Sequence, residues 1–277
     1  MALPSFTPQP PAAAMRRRWE LDALRGLMLV LMTSTHLPTW FAVPASQPFG
    51  FVSAAEGFVF RGSERYLPAD GTPVDSPAAR DLARKALNTP DDEVLYVVGI
   101  GAITNVASAI LMEPKIIEKI VVVWLGGHAL DWRDTKEFNL IQDVPAARTV
   151  LDCGVPLVLV PCHRVTSHLI TTLPEINHYV RGKGPIGDFL AQRYEECSED
   201  HYAYSRVIWD ISVIAWLIEA DFMPSDLVHS PVLTDQVTWS RDTSRHWIRI
   251  AYYADRNRVF KDLFSKLERH AAGGEHP

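Results

Sequence analysis

The sequence predicts an α/β fold: a mostly parallel sheet with helices on both faces, preceded by an apolar N-terminal helix. Three observations predict it. Continuous apolar runs at Val94–Ile100, Ile120–Leu125 and Pro156–Val160 have the length and flanks of buried parallel strands. Segments of helical period alternate with these runs, the order expected of a sheet covered on both faces. A separate apolar stretch, Gly26–Val43, stands well before the first run.

Pro77–Leu87 reads as the first helix of the α/β region. Ser76 is its candidate cap, and Ala79, Leu82, Ala83 and Leu87 share one face. Val94–Ile100 follows as a strand, with acids before it and glycine after it. Thr104–Met112 is a helix and Ile120–Leu125 the second strand, ended by Gly126-Gly127. Val144–Cys153 is a helix, with Asp143 as its cap, and Pro156–Val160 is the third strand. Pro185–Glu196 and Val207–Ala220 are further helices. Trp247–Tyr252 reads as a late strand and Arg256–Arg269 as the last helix. Trp216 and Trp247 are assigned to the core. Ligands of such sheets sit beyond the carboxyl ends of the strands, so the loops after each strand are where chemistry is expected.

Composition narrows the function classes. The chain has 277 residues, 47% hydrophobic and 22% charged, with a net charge of −6. That balance suits a globular protein and argues against a nucleic-acid partner. Cys153, Cys162 and Cys197 show no paired spacing, which fits a reducing, cytoplasmic setting rather than a disulfide framework. Cys162-His163 has no second Cys/His pair at zinc spacing, so it reads as a buried thiol beside a loop histidine.

The N-terminal part has a different character. Residues 1–14 are rich in proline and alanine with no apolar period, and 268–277 form a polar tail. Arg16, Arg17 and Arg18 precede Gly26–Val43, which is about the minimum length for a bilayer span. Thr33, Ser34, Thr35 and His36 sit within it, and Pro38 would kink or end a helix. Three readings stay open: an inner-membrane anchor through residues 26–43, a secretory signal built on Leu27–Met32, or a helix packed on the α/β domain. The stretch Arg18-Trp-Glu-Leu-Asp-Ala-Leu-Arg-Gly, with Thr35-His-Leu-Pro and Gln47-Pro-Phe-Gly-Phe, resembles the opening of the OpgC-type membrane proteins. The resemblance covers residues 15–60 only, so it implies no acyltransferase.

The loops after the predicted strands carry Gly101-Ala-Ile-Thr-Asn-Val-Ala, Gly126-Gly127-His128, Glu137-Phe-Asn-Leu-Ile-Gln-Asp143, and Pro161-Cys-His-Arg-Val-Thr166. Trp209-Asp210 opens a later helix. In this order the motifs resemble the inosine–uridine-preferring nucleoside hydrolases, over residues 61–267. The resemblance implies hydrolysis of the N-glycosidic bond of ribonucleosides, with a nucleoside as substrate and calcium as cofactor. It implies that Asp210 and the carbonyl of Val165 or Thr166 hold the metal. Glu137 and Asn139 would hold ribose from an extended loop, with Asn105 and Trp209 also contacting substrate. Assembly with further copies of the chain is compatible with it. Each assignment has a plainer reading. Asn105 and Asp210 suit helix N-termini, and His128 and His163 read as ordinary loop histidines.

Two departures bear on activity. The family's first strand carries a cluster of the form Asp-x-Asp-x-Gly-x-Asp-Asp. Here that strand is missing or replaced, the acids before Gly62 being Glu20, Asp22 and Glu56. No catalytic base is therefore assigned. Trp209 stands where many members place a histidine that protonates the leaving base. Other classes remain in view: a nucleoside-binding module without turnover, a fusion of two partial genes, or a hydrolase whose aspartates come from a second subunit.

Overall fold

The computed structural model describes residues 60–272. A five-stranded sheet forms the centre. Its strands are β1 (Leu95–Gly99), β2 (Ile120–Leu125), β3 (Leu157–Val160), β6 (Ser225–His229) and β9 (Trp247–Ala251), in the order β1-β2-β3-β9-β6. β1, β2, β3 and β9 are parallel, and β6 runs antiparallel to β9. Two short pairs lie outside it: β4 (Ile170–Thr171) with β5 (Arg206–Val207), and β7 (Val232–Leu233) with β8 (Trp239–Ser240).

Alternation along the strands builds two apolar layers. Ile120, Val122 and Trp124 of β2, with Leu157 and Leu159 of β3, face one layer. There they meet α1 (Pro77–Leu87), α2 (Thr104–Met112) and α4 (Val144–Asp152). Val123, Leu125, Val158 and Val160 face the other, against α7 (Ile211–Ile218) and α8 (Arg256–Ala271). The short α3 (Phe138–Gln142) precedes α4, and α5 (Leu173–Tyr179) packs with α6 (Gly184–Glu195) and α8. Because both faces are covered, β2 and β3 lose their polar alternation, as the sequence reading required.

Local chemistry sets the element ends. The Ser76 hydroxyl accepts from Ala79 N at 3.1 Å, capping α1 with Pro77 at its first position. Asp143 caps α4 through Ala146 N at 3.0 Å. The same carboxylate accepts from Leu67 N at 2.9 Å and from the Thr104 hydroxyl, binding the entry segment, α2 and α4 at one buried point.

Three sequence expectations change. The helix expected at Val207–Ala220 begins only at Ile211, because Arg206–Val207 pair with β4 and Trp209-Asp210 turn the chain. Trp247 is not core: the residue is 59% exposed and its ring stacks on His229 at 3.9 Å. Trp216 meets the core only in part: it packs against the second apolar layer, half-buried, with its indole N–H on Ser225 Oγ at 3.1 Å. Among the described residues, β1 pairs only with β2, and Tyr96 on it is 49% exposed. No helix among the described residues is long and apolar enough to cross a membrane. The candidate span 26–43 lies outside them.

Candidate active site

A cavity of about 560 Å³ opens at the carboxyl ends of the parallel strands. Ile100, Gly101 and Ala102 reach it from the end of β1, and Leu125 and His128 from the end of β2. Cys162 and His163 follow β3, Trp209 and Asp210 precede α7, and Glu137 and Asn139 begin α3.

Gly127 makes this geometry possible. Its φ is +68°, and a Cβ there would lie 2.6 Å from the Thr135 hydroxyl and 2.8 Å from the Trp239 ring. Its N–H donates to Glu137 at 3.0 Å, and its carbonyl accepts from Cys162 N at 2.9 Å. One tight turn thereby ties the loops after β2 and β3 to α3. A side chain would force these three segments apart.

Glu137 is a helix cap rather than a member of an extended loop. Its carboxylate accepts from Asn139 N at 2.9 Å, Leu140 N at 3.0 Å and Gly127 N at 3.0 Å. The five-residue helix Phe138–Gln142 is too short to show an apolar period, so the sequence gives no sign of it. Burial raises the Glu137 pKa, against the pull of the three backbone N–H groups and of Cys162. Burial and the Glu137 carboxylate push the Cys162 thiol well above its ordinary range, so it stays protonated. Asn139 donates through its side-chain amide to Leu125 O at 2.9 Å, and the residue lines the cavity.

Asp210 is the unspent carboxylate of the site. It stands at the N-terminus of α7 but makes no capping hydrogen bond. Burial, and next the charge of Glu137, push its pKa up to about 7. The expected metal carbonyls are already engaged, Val165 O by His168 N at 3.2 Å and Thr166 O by Leu169 N at 2.9 Å. Neither residue is among those lining the cavity. Asn105 also lies outside it. Its side-chain oxygen accepts from Ser63 N, Ser63 Oγ and Ser76 Oγ within 3.0 Å, holding the entry segment to α2.

The two loop histidines form part of the cavity wall, which their sequence context does not reveal. His128 and His163 have ring centres 4.3 Å apart, and His163 stacks on Trp132 at 5.2 Å. Trp209 meets His163 edge-on at 6.1 Å. Pairing between the loops after β2 and β3 brings them together, through Cys162 N on Gly127 O and Ala129 N on His163 O. Arg164 in the same loop is left-handed, with φ 76°, an unfavourable conformation for a residue with a Cβ.

Comparison with known proteins defines the class. The family model described as inosine-uridine preferring nucleoside hydrolase matches residues 34–261. The chain belongs to that family. The match begins inside the segment 15–60, whose likeness to OpgC-type proteins finds no support in these comparisons. Among curated proteins, the pyrimidine-specific ribonucleoside hydrolase RihB of Escherichia coli O1:K1 is 29% identical over 168 residues. That alignment covers 54% of this chain and 53% of the relative. RihB of Shigella flexneri serotype 5b is 28% identical over the same shares. The chain thus spans about half the length of the curated relatives it matches. Among solved structures, a purine-preferring ribonucleoside hydrolase from Gardnerella vaginalis has a TM-score of 0.61 at 19% identity. It covers 71% of this chain and 67% of its own. The inosine-uridine preferring nucleoside hydrolase from Bacillus anthracis has a TM-score of 0.58 at 20% identity, covering 70% and 66%. These likenesses establish the α/β fold.

Members of this family generally depend on calcium. A calcium ion takes about six to eight oxygen ligands, several of them carboxylates. Among the described residues, no group of three or more His, Cys, Asp or Glu side chains stands together to hold a metal. Asp210 is available, but Glu137 is held by backbone N–H groups. The described donor set does not by itself fit the ion.

Proposed function

We propose that the cavity binds a ribonucleoside and that the chain's reaction class is hydrolysis of its N-glycosidic bond. The observation that supports this is convergence: Glu137 and Asn139 from one segment, and Trp209 and Asp210 from another, line one cavity at the carboxyl ends of the strands. In this reading Asn139 Oδ1 accepts a ribose hydroxyl, and Glu137 sits behind it as a fixed negative charge. The base lies against Trp209 and His163. Bond cleavage leaves positive charge on the sugar and sends the bonding pair to the base. The Glu137 and Asp210 carboxylates stabilise that charge from within a largely water-excluded wall. Asp210 accepts a hydrogen bond from the water that adds to the sugar carbon. The products are ribose and the base, which leaves with one proton of that water. Calcium would need ligands beyond the described residues, so no step is assigned to it.

A second reading, nucleoside binding without turnover, is favoured by the same shortage of metal donors. One experiment separates them. Release of hypoxanthine from inosine and of uracil from uridine is followed with the purified full chain, with added calcium and with a chelator. Slow release that ignores the chelator is expected. Nucleoside binding with no release over days supports the second reading. A folded chain that neither binds nor cleaves either nucleoside overturns both.

A further inference from the structure

Resting on that reading of the cavity, we propose that His128 recognises the base: its Nε2–H, fixed in one tautomer, donates to a carbonyl or ring-nitrogen acceptor of a nucleobase lying beside His163 and Trp209. The tautomer follows from one contact. His128 Nδ1 accepts the backbone N–H of His163 at 3.3 Å. A neutral imidazole carries a single N–H, and the accepting nitrogen cannot bear it, so the hydrogen sits on Nε2.

The ring stays neutral. Burial, and next the neighbouring His163, lower its pKa to about 4. His128 therefore donates a hydrogen bond without giving up a proton over the working range of pH. The Gly127 carbonyl lies beside the ring, and Nε2 donates to no side chain among the described residues. It is also absent from the polar atoms sealed off without a partner, which include His201 Nδ1 and His246 Nε2. The ring lines the cavity, and in this reading its Nε2–H faces the bound base.

The residue is held from both sides. Its N–H donates to Thr135 Oγ1 at 3.0 Å, and its carbonyl accepts from Trp239 Nε1 at 2.9 Å. Such a fixed donor suits the chemistry. As the glycosidic bond breaks, negative charge grows on the departing base, and its acceptor atoms bind the Nε2–H more tightly than in the ground state. Trp209 supplies a stacking surface but its position carries no imidazole. His128 brings a polar contact to the same cavity from the opposite loop.

Two substitutions separate this role from the simpler one of fastening the His163 loop. In His128→Asn, the amide oxygen replaces Nδ1 as acceptor for His163 N–H, and the shorter amide's N–H groups stop short of the Nε2 position. In His128→Gln, the longer amide restores a donor near the Nε2 position. Binding of uridine, inosine and D-ribose is measured by calorimetry on the full chain and both variants. The Asn variant is expected to lose roughly three- to ten-fold in nucleoside affinity, the worth of one neutral hydrogen bond. Its ribose affinity stays unchanged, and the Gln variant recovers most of the loss. An Asn variant that binds both nucleosides as the parent does overturns the proposal. Equal weakening toward ribose and nucleosides also overturns it, because that marks a purely structural role. A parent chain that binds neither ribose nor nucleoside instead refutes the underlying reading of the cavity.

Discussion

Replacing Asp210 by asparagine should stabilise the protein, and by an amount that depends on pH. Asp210 is 5% exposed and makes no capping hydrogen bond. Burial, then the Glu137 charge, raise its pKa from 3.8 to about 7. At about 1.4 kcal/mol per pH unit, that rise is worth about 4 kcal/mol, and water entering the open cavity reduces it toward about 2 kcal/mol. The sign follows from linkage. Between pH 3.8 and about 7 the folded chain holds a proton that the unfolded chain has released. The contribution of Asp210 to stability is therefore full at low pH and is lost as pH rises through about 7. Asparagine cannot ionise and escapes that loss. Urea unfolding of parent and variant at several pH values, followed by far-ultraviolet circular dichroism, reads the difference. We expect the variant to gain about 2–4 kcal/mol at pH 8 and nothing comparable near pH 4. Equal stability at pH 8, or a variant less stable there, would refute the claim that an uncompensated carboxylate is buried at this point.

Other outcomes follow from single contacts. Asn139→Leu fills a similar volume but removes the side-chain amide at the cavity wall. Uridine affinity measured by calorimetry should fall about ten-fold, with the far-ultraviolet spectrum unchanged. Leu159→Ala hollows the central strand β3 at a fully buried site and should cost about 2–5 kcal/mol in urea unfolding. Ser76→Ala removes the cap of α1 and should cost about 1 kcal/mol by the same assay. Calcium titrated into the chain, followed by calorimetry, should bind no more tightly than about the millimolar range of the weakest protein sites if its ligands come from the described residues, where the cavity offers one unspent carboxylate.

The sequence makes the parallel core readable because burial on both faces leaves a plain mark. Ile120–Leu125 and Thr104–Met112 stand at the ranges their composition indicates, and Pro77–Leu87 is bounded by its serine cap and proline. The edge strand Ser225–His229 is not readable. It carries Asp226 and His229, leaves Leu227 exposed, and owes its pairing to β9. Trp209-Asp210 has a helical apolar context on both sides, so only the β4–β5 pair shows where α7 begins. Of the site, Glu137, Asn139, Trp209 and Asp210 are legible as ordered motifs and share the cavity. Asn105 bears the same kind of motif signal yet holds the entry segment. His128 and His163 are 35 residues apart. Their approach depends on Gly127, and a left-handed glycine gives no hint in sequence of which loop it will meet.

The measurement that tests the account most directly is calorimetric titration of uridine and inosine into the purified full chain beside its Asn139→Leu variant. The account predicts saturable binding of one nucleoside per chain, sharply weakened in the variant. A folded parent that binds neither nucleoside, or a variant that binds as well as the parent, would contradict it.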